Sequence, residues 1–420
     1  MVYTLYNFAT SIAVPLGAAW LALRPAYRPL LSRFAPPIPS LPPGRPFWVQ
    51  ACSVGEVGTA TQVIKAIRCR WPEASVVLTV STITGYKFAQ AAKPDFGVTW
   101  FPFDHPYAVR RFVRRLNPRV LLLIETEIWP NVLRETRRAG VPVILVNGRL
   151  SDKHLARYQR FRSFLRPIVE QLSAAGMQNE EYARRLESLG ADPACIRVTG
   201  STKFDGVHTE IDAEALARLR DEAGFIAGEP VVIFGSTRPG DETLAASCWP
   251  TLKRTFQHLR LIVAPRHLER VEDAIAAFDE PILRRSQTRL GRRPAGERVF
   301  VLDTVGELAA TYALGTVAVI GGSFYPGVNG HNPIEPAALG VPTVFGPYMR
   351  NFVDPARELV ARGGAVQLAR PDDLLPTLTR LLGDPQERAG IAERGRAAVL
   401  ANQGATGRNL DLVAEFLQDA

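Results

Sequence analysis

Acidic and basic side chains stand at the ends of apolar runs in this chain, where a folded sheet presents its working residues. Ser53-Val54-Gly55-Glu56 follows "FWVQAC", Glu125-Thr126-Glu127 follows "RVLLLI", and Pro265-Arg266-His267 follows "LRLIV". Glu56 has two readings. S-x-x-E at a strand-to-helix turn is a capping box, and a carboxylate near a positive helix end can also serve as general base toward a substrate hydroxyl. Glu125 and Glu127, two acids one residue apart behind an apolar run, are costly unless solvated or used. Lys203, in the polar segment "GSTKFDGVHTEID", could reach a cleft from a hinge.

A second group suits an anion. "GGSFYPGVNGHNPIEPAALGVPTVFGP", Gly321 to Pro347, is rich in glycine and proline, which let backbone approach a ligand and fix the approach. Backbone N–H groups around Gly321, Gly322 and Ser323 could hold an oxyanion, Arg266 can neutralise a phosphate with paired donors, and Glu335 can accept from a ribose diol. Asn332 and Glu335 can equally cap a helix. There is no G-x-x-x-x-G-K-[ST], and no G-x-G-x-x-G follows a strand near the start of either half, which disfavours P-loop and dinucleotide chemistry.

These residues need strands to carry them. Short apolar runs alternate with longer amphipathic ones from Phe47 to about residue 170, and the rhythm restarts at "PVVIFGS". That order predicts an α/β chain with two doubly wound Rossmann-like domains facing across a cleft, each binding ligand beyond the carboxyl ends of its strands. The expected domains are residues 1–34, 35–206 and 207–420.

The first of these carries no charge from Val2 to Leu23, and Arg24, Arg28 and Arg33 follow. Twenty-two such residues can cross a hydrocarbon core of roughly 30 Å. Charge after the apolar run rather than before it argues for an anchor with the body on the cytoplasmic side, either spanning or monotopic. A net charge of +9 fits work beside anionic lipid. No nucleic-acid-binding pattern accompanies it. Four scattered cysteines, with no C-x-x-C pair, are expected to be reduced thiols, and no acidic pair resembles a metal-holding D-x-D.

Taken together, "SVGE", "ETEIWPN", "GSTKFD", "PRH", "GEL" and "GGSF…GHNPIEPAALG.P…GP…NF", with the apolar N-terminus, resemble the bacterial 3-deoxy-D-manno-octulosonic acid (Kdo) transferases of lipopolysaccharide synthesis. The resemblance implies a GT-B fold, a CMP-Kdo donor, a lipid A precursor as acceptor, an inverting reaction without metal or cofactor, and the cytoplasmic face of the inner membrane. It also implies Glu56 as general base, Glu127 as the acid that stabilises the transition state, and Lys203 as a stabilising cation. CMP would be held by Pro265 and Arg266, by Val305, Gly306 and Glu307, and by Asn332, Pro333, Ile334 and Glu335. Four places depart from the family pattern: Gln50 stands where a histidine precedes the base by six residues, "STH" reads Ser236-Thr237-Arg238, "PRHP" reads Pro265-Arg266-His267-Leu268, and "RLSxRS" reads "RLSDKH". A GT-B transferase using another nucleotide sugar, or a membrane-bound nucleotide-binding scaffold without catalysis, are the competing expectations.

Overall fold

The computed structural model describes residues 2–417, so Met1 and residues 418–420, at the outer ends of the first and last expected segments, lie outside the described residues. Two compact units are present: residues 2–206 together with 403–417, and residues 207–402. Each is built on a seven-stranded, all-parallel sheet.

The first sheet has the order β3-β2-β1-β4-β5-β6-β7, with β1 Phe47–Ala51, β2 Val76–Val80, β3 Gly97–Trp100, β4 Val120–Ile124, β5 Val143–Gly148, β6 Ala174–Met177 and β7 Ile196–Val198. Its central strands are apolar runs because both faces are covered by helices. Side chains alternate between faces. Phe47, Val49 and Ala51 of β1 enter one core cluster, while Trp48 enters the other and donates its indole N–H to Thr79 Oγ1 at 2.8 Å. The strand order reverses between β1 and β4, so the loops leaving these two strands are neighbours. That reversal brings Glu56 and Glu127 to one place.

The second sheet has the order β10-β11-β9-β8-β12-β13-β14, with β8 Val231–Thr237, β9 Arg260–Pro265, β10 Ile282–Arg284, β11 Val299–Val301, β12 Val317–Ile320, β13 Thr343–Phe345 and β14 Ala365–Gln367. Here the order reverses between β8 and β12, so the loop after Thr237 adjoins the glycine loop.

One feature differs from the sequence rhythm. The last helix, Ala405–Glu415, belongs to the first unit. Asp205 accepts from the N–H groups of Gly404 (2.7 Å) and Thr406 (2.5 Å) at its start, and Leu410, Leu412 and Val413 enter the core that holds Val146 and Ala174. The apolar N-terminal segment forms one helix, Val2–Ala22, and residues 3–22 are long and apolar enough to cross a membrane. One of its faces lies on the first unit, through Tyr3, Tyr6 and Leu21. Leu5, Phe8, Ile12, Leu16, Trp20 and Leu23 form an exposed stripe at helical spacing.

Candidate active site

Glu56 sits in the first turn of the helix Val54–Arg70, directly beyond β1. Ser53 caps that helix, its Oγ accepting from the Glu56 N–H at 3.3 Å and donating to Glu56 Oε1 at 3.3 Å. The box closes one residue early, because Oε2 accepts from the Cys52 N–H at 2.6 Å rather than from Ser53. Capping and base readings are therefore compatible, since the cap is what aims the carboxylate. Burial pushes the Glu56 carboxyl up to about 7, reinforced by the negative charge of Glu127 and opposed by the Cys52 N–H. A carboxylate poised near neutrality is matched to taking a proton from a hydroxyl.

Glu127 faces it from the loop after β4. Its Oε2 accepts from Gln50 Nε2 and from Trp129 Nε1, both at 3.0 Å. Gln50 is fully buried, its amide also donating to Ser81 Oγ at 2.8 Å and accepting from Thr79 Oγ1 at 2.6 Å. Gln50, at the position where the sequence resemblance implies a histidine, thus holds Glu127. Glu125 begins the loop in a left-handed conformation, φ 61°, which orders the turn at an energetic cost.

Two neighbours were not legible from motifs. Arg33 donates Nε to the Phe101 carbonyl at 2.9 Å and Nη1 to that of Ser81 at 3.3 Å, and stands close enough to Glu127 and Cys52 to interact with both. Burial lowers its guanidinium to about 10, still a cation at neutral pH. Cys52 completes a group whose donor atoms, with those of Glu56 and Glu127, all lie within 4.8 Å of one another. By distance these three could hold an ion, although burial pushes the thiol up to about 12 and keeps it protonated near neutrality.

Lys203 occupies the 3-10 turn Thr202–Phe204 after β7. The turn is fixed by the Thr202 N–H donating to Asn147 Oδ1 at 3.1 Å, and by Gln62, on the helix of Glu56, donating to the Thr202 carbonyl at 3.0 Å.

In the second unit several of the expected anion-binding groups are engaged within the unit itself. The Gly322 N–H is spent on Asp241 Oδ2 at 2.6 Å and that of Gly321 on the Gly235 carbonyl at 2.8 Å. Ser323 is fully buried, its hydroxyl joining the Ile320 carbonyl to the Gly346 N–H. The Gly322 N–H and the Ser323 hydroxyl therefore brace the loop. The bracing residue is Asp241, which also accepts from the Arg238 N–H at 2.8 Å and so ties the β8 and β12 loops together. Burial raises its carboxyl to about 6.

Positive charge collects beside this brace. Arg238, Arg266 and His267 all act on His331, whose imidazole is lowered to about 4 by burial first and by these neighbours next. His331 Nε2 and Arg238 Nε are buried without a hydrogen-bond partner among the described residues. Arg266, exposed just past β9, has its N–H fixed by the Thr237 carbonyl at 3.1 Å, and Pro265 is the buried last residue of that strand.

The remaining expected residues divide. Asn332 stands one residue before Pro333, the N-cap of the helix Ile334–Ala338; its Oδ1 accepts from the Ile334 N–H at 3.0 Å, and its Nδ2 donates to Glu335 Oε1 at 3.1 Å. The Glu335 carboxyl is raised by burial and lies close enough to Arg266 to interact with it. Its second oxygen takes no hydrogen bond among the described residues, so the Asn332 contact leaves it able to meet a diol. Val305 is exposed and Gly306 has φ 89°, which opens backbone to a ligand after β11. Glu307 is engaged: burial opposes its charge, but Arg285 at 3.0 Å, with Thr304, holds its carboxyl below the usual range. A cavity of about 710 Å³ in the first unit, lined by Arg137, Glu170 and Ile196 among others, opens at the amino ends of β6 and β7, away from all these groups.

The architecture is that of the GT-B glycosyltransferases. It is shared with a glycosyltransferase from Rickettsia africae ESF-5, at a TM-score of 0.58 and 11% identity, covering 90% of this chain and all of that one. Sequence narrows the class. Residues 25–206 match the family described as 3-deoxy-D-manno-octulosonic-acid transferase (kdotransferase). The chain is 33% identical over 412 residues to the 3-deoxy-D-manno-octulosonic acid transferase of Bordetella pertussis, covering 96% of this chain and 93% of that one. It is 29% identical over 389 residues to the enzyme of the same name from Haemophilus influenzae, covering 90% and 89%. The chain belongs to the 3-deoxy-D-manno-octulosonic acid transferase family.

Proposed function

We propose that this protein transfers Kdo from CMP-Kdo to a lipid A precursor, with inversion, at the cytoplasmic face of the inner membrane. The observation that carries the reading is the Glu56–Glu127 pair: two carboxylates at the switch point of the first sheet, one poised near neutrality by burial and by the other. Glu56 removes the proton of an acceptor hydroxyl as its oxygen attacks the ketosidic carbon of Kdo. The bond to the CMP phosphate breaks on the opposite face, and its electron pair leaves with CMP. A single displacement inverts the configuration.

Glu127 keeps Glu56 basic and faces the positive charge that develops on the sugar, with Lys203 as a second stabilising charge. Arg266 and Arg238 take the phosphate, Glu335 the ribose diol, and the backbone of Val305 and Gly306 the remainder of the nucleotide. The exposed apolar stripe of the N-terminal helix is suited to lie in the membrane interface.

Purified protein is incubated with CMP-Kdo and, separately, with UDP-sugars, and the released nucleotide is measured. Release of CMP, with a lipid A precursor gaining the mass of Kdo in the inverted configuration, is the expected result. UDP release would instead assign a different donor, and CMP binding without turnover would mark a scaffold.

A further inference from the structure

One buried carboxylate joins the N-terminal helix to the loop that carries Glu127. Asp104, past the end of β3, accepts on Oδ2 from the Tyr6 hydroxyl at 2.7 Å and the Asn131 N–H at 3.2 Å, and on Oδ1 from the Val132 N–H at 2.8 Å. Its own carbonyl accepts from Asn131 Nδ2 at 2.8 Å. Asn131 and Val132 open the helix Pro130–Arg138, whose N-cap residue, Trp129, provides no side-chain cap. The first turn of a helix leaves backbone donors unpaired and favours negative charge. Asp104 therefore caps this helix from another element.

That helix starts where the active-site loop ends. Trp129 is the last residue before it, and its indole N–H holds Glu127 Oε2. The other end of the loop is fixed by β4, through the Glu125 N–H donating to the Val146 carbonyl at 3.1 Å. The loop that carries Glu127 is thus held at both ends, one of which leads to the N-terminal helix, while Gln50 holds the carboxylate from β1. Further contacts seat that helix: the Tyr6 ring lies 5.9 Å from that of Phe164, the Tyr3 hydroxyl donates to the Pro167 carbonyl at 3.4 Å, and the guanidinium of Arg134, on the capped helix, lies 4.4 Å over the Tyr3 ring.

We propose that the N-terminal helix is part of the catalytic apparatus as well as a membrane contact, with Tyr6 and Asp104 as positioning residues that set Glu127 against Glu56. The proposal rests on the reading of Glu56 and Glu127 as a working pair. A helix drawn out of place, or removed, lets the capped turn relax and Glu127 withdraw. Turnover then falls even on an acceptor dispersed in detergent.

The relay leaves a mark that simple loss of stability does not. Glu56 is faced by Glu127 and Glu125 from the loop after β4, and by Cys52 and Ser53 from its own segment. Glu127 is faced in turn by Arg33 and Cys52, and Asp104 by Arg33 and Tyr6. Withdrawing the negative charge of Glu127 removes one of the influences that raise the Glu56 carboxyl, so the acid limb of the kcat/KM profile moves to lower pH.

The deciding variant is Tyr6→Phe, which deletes one hydroxyl and keeps the ring on Phe164. It is measured in full-length protein on a detergent-dispersed acceptor, across pH, beside Glu127→Gln and Asp104→Asn. Tyr6→Phe is expected to lower kcat about tenfold, the scale of one hydrogen bond to a charged group, with KM for the donor little changed and the acid limb displaced downward. Asp104→Asn is expected to exceed it; if that variant does not fold, Tyr6→Phe decides alone. Wild-type turnover in Tyr6→Phe, or reduced turnover with an unmoved acid limb, overturns the relay while Glu127→Gln remains impaired. An unimpaired Glu127→Gln overturns the reading of the pair itself, and the relay with it.

Discussion

At the scale of single residues, Glu56 is asked to be a cap and a base at once, and its charge carries a cost in stability. Glu56→Gln keeps an oxygen for the Cys52 N–H but cannot take a proton, so turnover should fall by roughly 10² or more while CMP affinity is retained. The acid limb near pH 7 in kcat/KM should vanish with it. Stability should move the other way. The folded carboxyl titrates at about 7 against an ordinary 4.5, so the stability its protonated form provides is complete below about 4.5 and is lost as pH rises through 7. Glu56→Gln should therefore be more stable than the parent at pH 8, by up to roughly 3 kcal/mol, and equal to it near pH 4. Thermal unfolding at the two pH values checks this, and no gain at pH 8 would mean the carboxyl is not held high. Arg266→Ala removes a charge-assisted contact and should weaken CMP binding by roughly 1.5–3 kcal/mol. Calorimetry with CMP measures it, and unchanged affinity would take Arg266 out of the site.

At the scale of elements, the two strand-order reversals explain which residues meet, and they were legible only in part. The central strands β1, β2, β4, β5, β8, β9 and β12 are apolar runs that announce themselves. β3, β6, β7, β10 and β14 lie toward the sheet edges, are three or four residues long, and include "AAGM" and "IRV", which carry no apolar run to read. Glu56, Glu127 and Arg266 each follow a recognisable strand, and Glu335 opens a helix after the glycine loop, so their places in the fold were legible. Local sequence could not show that the Gly322 N–H would be consumed by Asp241, eighty-one residues earlier, because that bond depends on β8 and β12 being neighbours. Nor could it show Arg33 arriving from the 3-10 segment Pro25–Phe34 that follows the N-terminal helix. The same tie yields a prediction. Asp241→Ala frees the Gly322 and Arg238 N–H groups, so the second unit should lose stability by about 2 kcal/mol, the scale of leaving buried donors unpaired. CMP affinity should fall as the β8 and β12 loops part. Unfolding and CMP titration of the variant test both, and unaltered CMP affinity would confine Asp241 to a structural role.

At the scale of the whole molecule, the N-terminal helix presents two faces with different partners. The Tyr3 and Tyr6 face is docked on protein, and Leu5, Phe8, Ile12 and Leu16 are exposed. An apolar stripe on one side of a docked helix suits insertion into an interface better than a full crossing. Replacing Leu5, Phe8, Ile12 and Leu16 with glutamine should move the protein from membrane to soluble fraction while leaving turnover on detergent-dispersed acceptor near normal. Continued sedimentation with vesicles would show that another surface holds the membrane.

The return of the last helix to the first unit also sets a timetable for biosynthesis. Everything in that unit up to Gly206 leaves the ribosome early, yet the patch around Val146 and Ala174 waits for Leu410, Leu412 and Val413, about two hundred residues later. At ordinary elongation rates that is a delay of roughly 10–40 s, during which the nascent half carries an open apolar face. The second unit, continuous from 207 to 402, can close while the first is still waiting. A chain cut after Asn402 should therefore keep a protease-resistant second unit and lose the first, and survival of both would mean that the late helix is dispensable for folding.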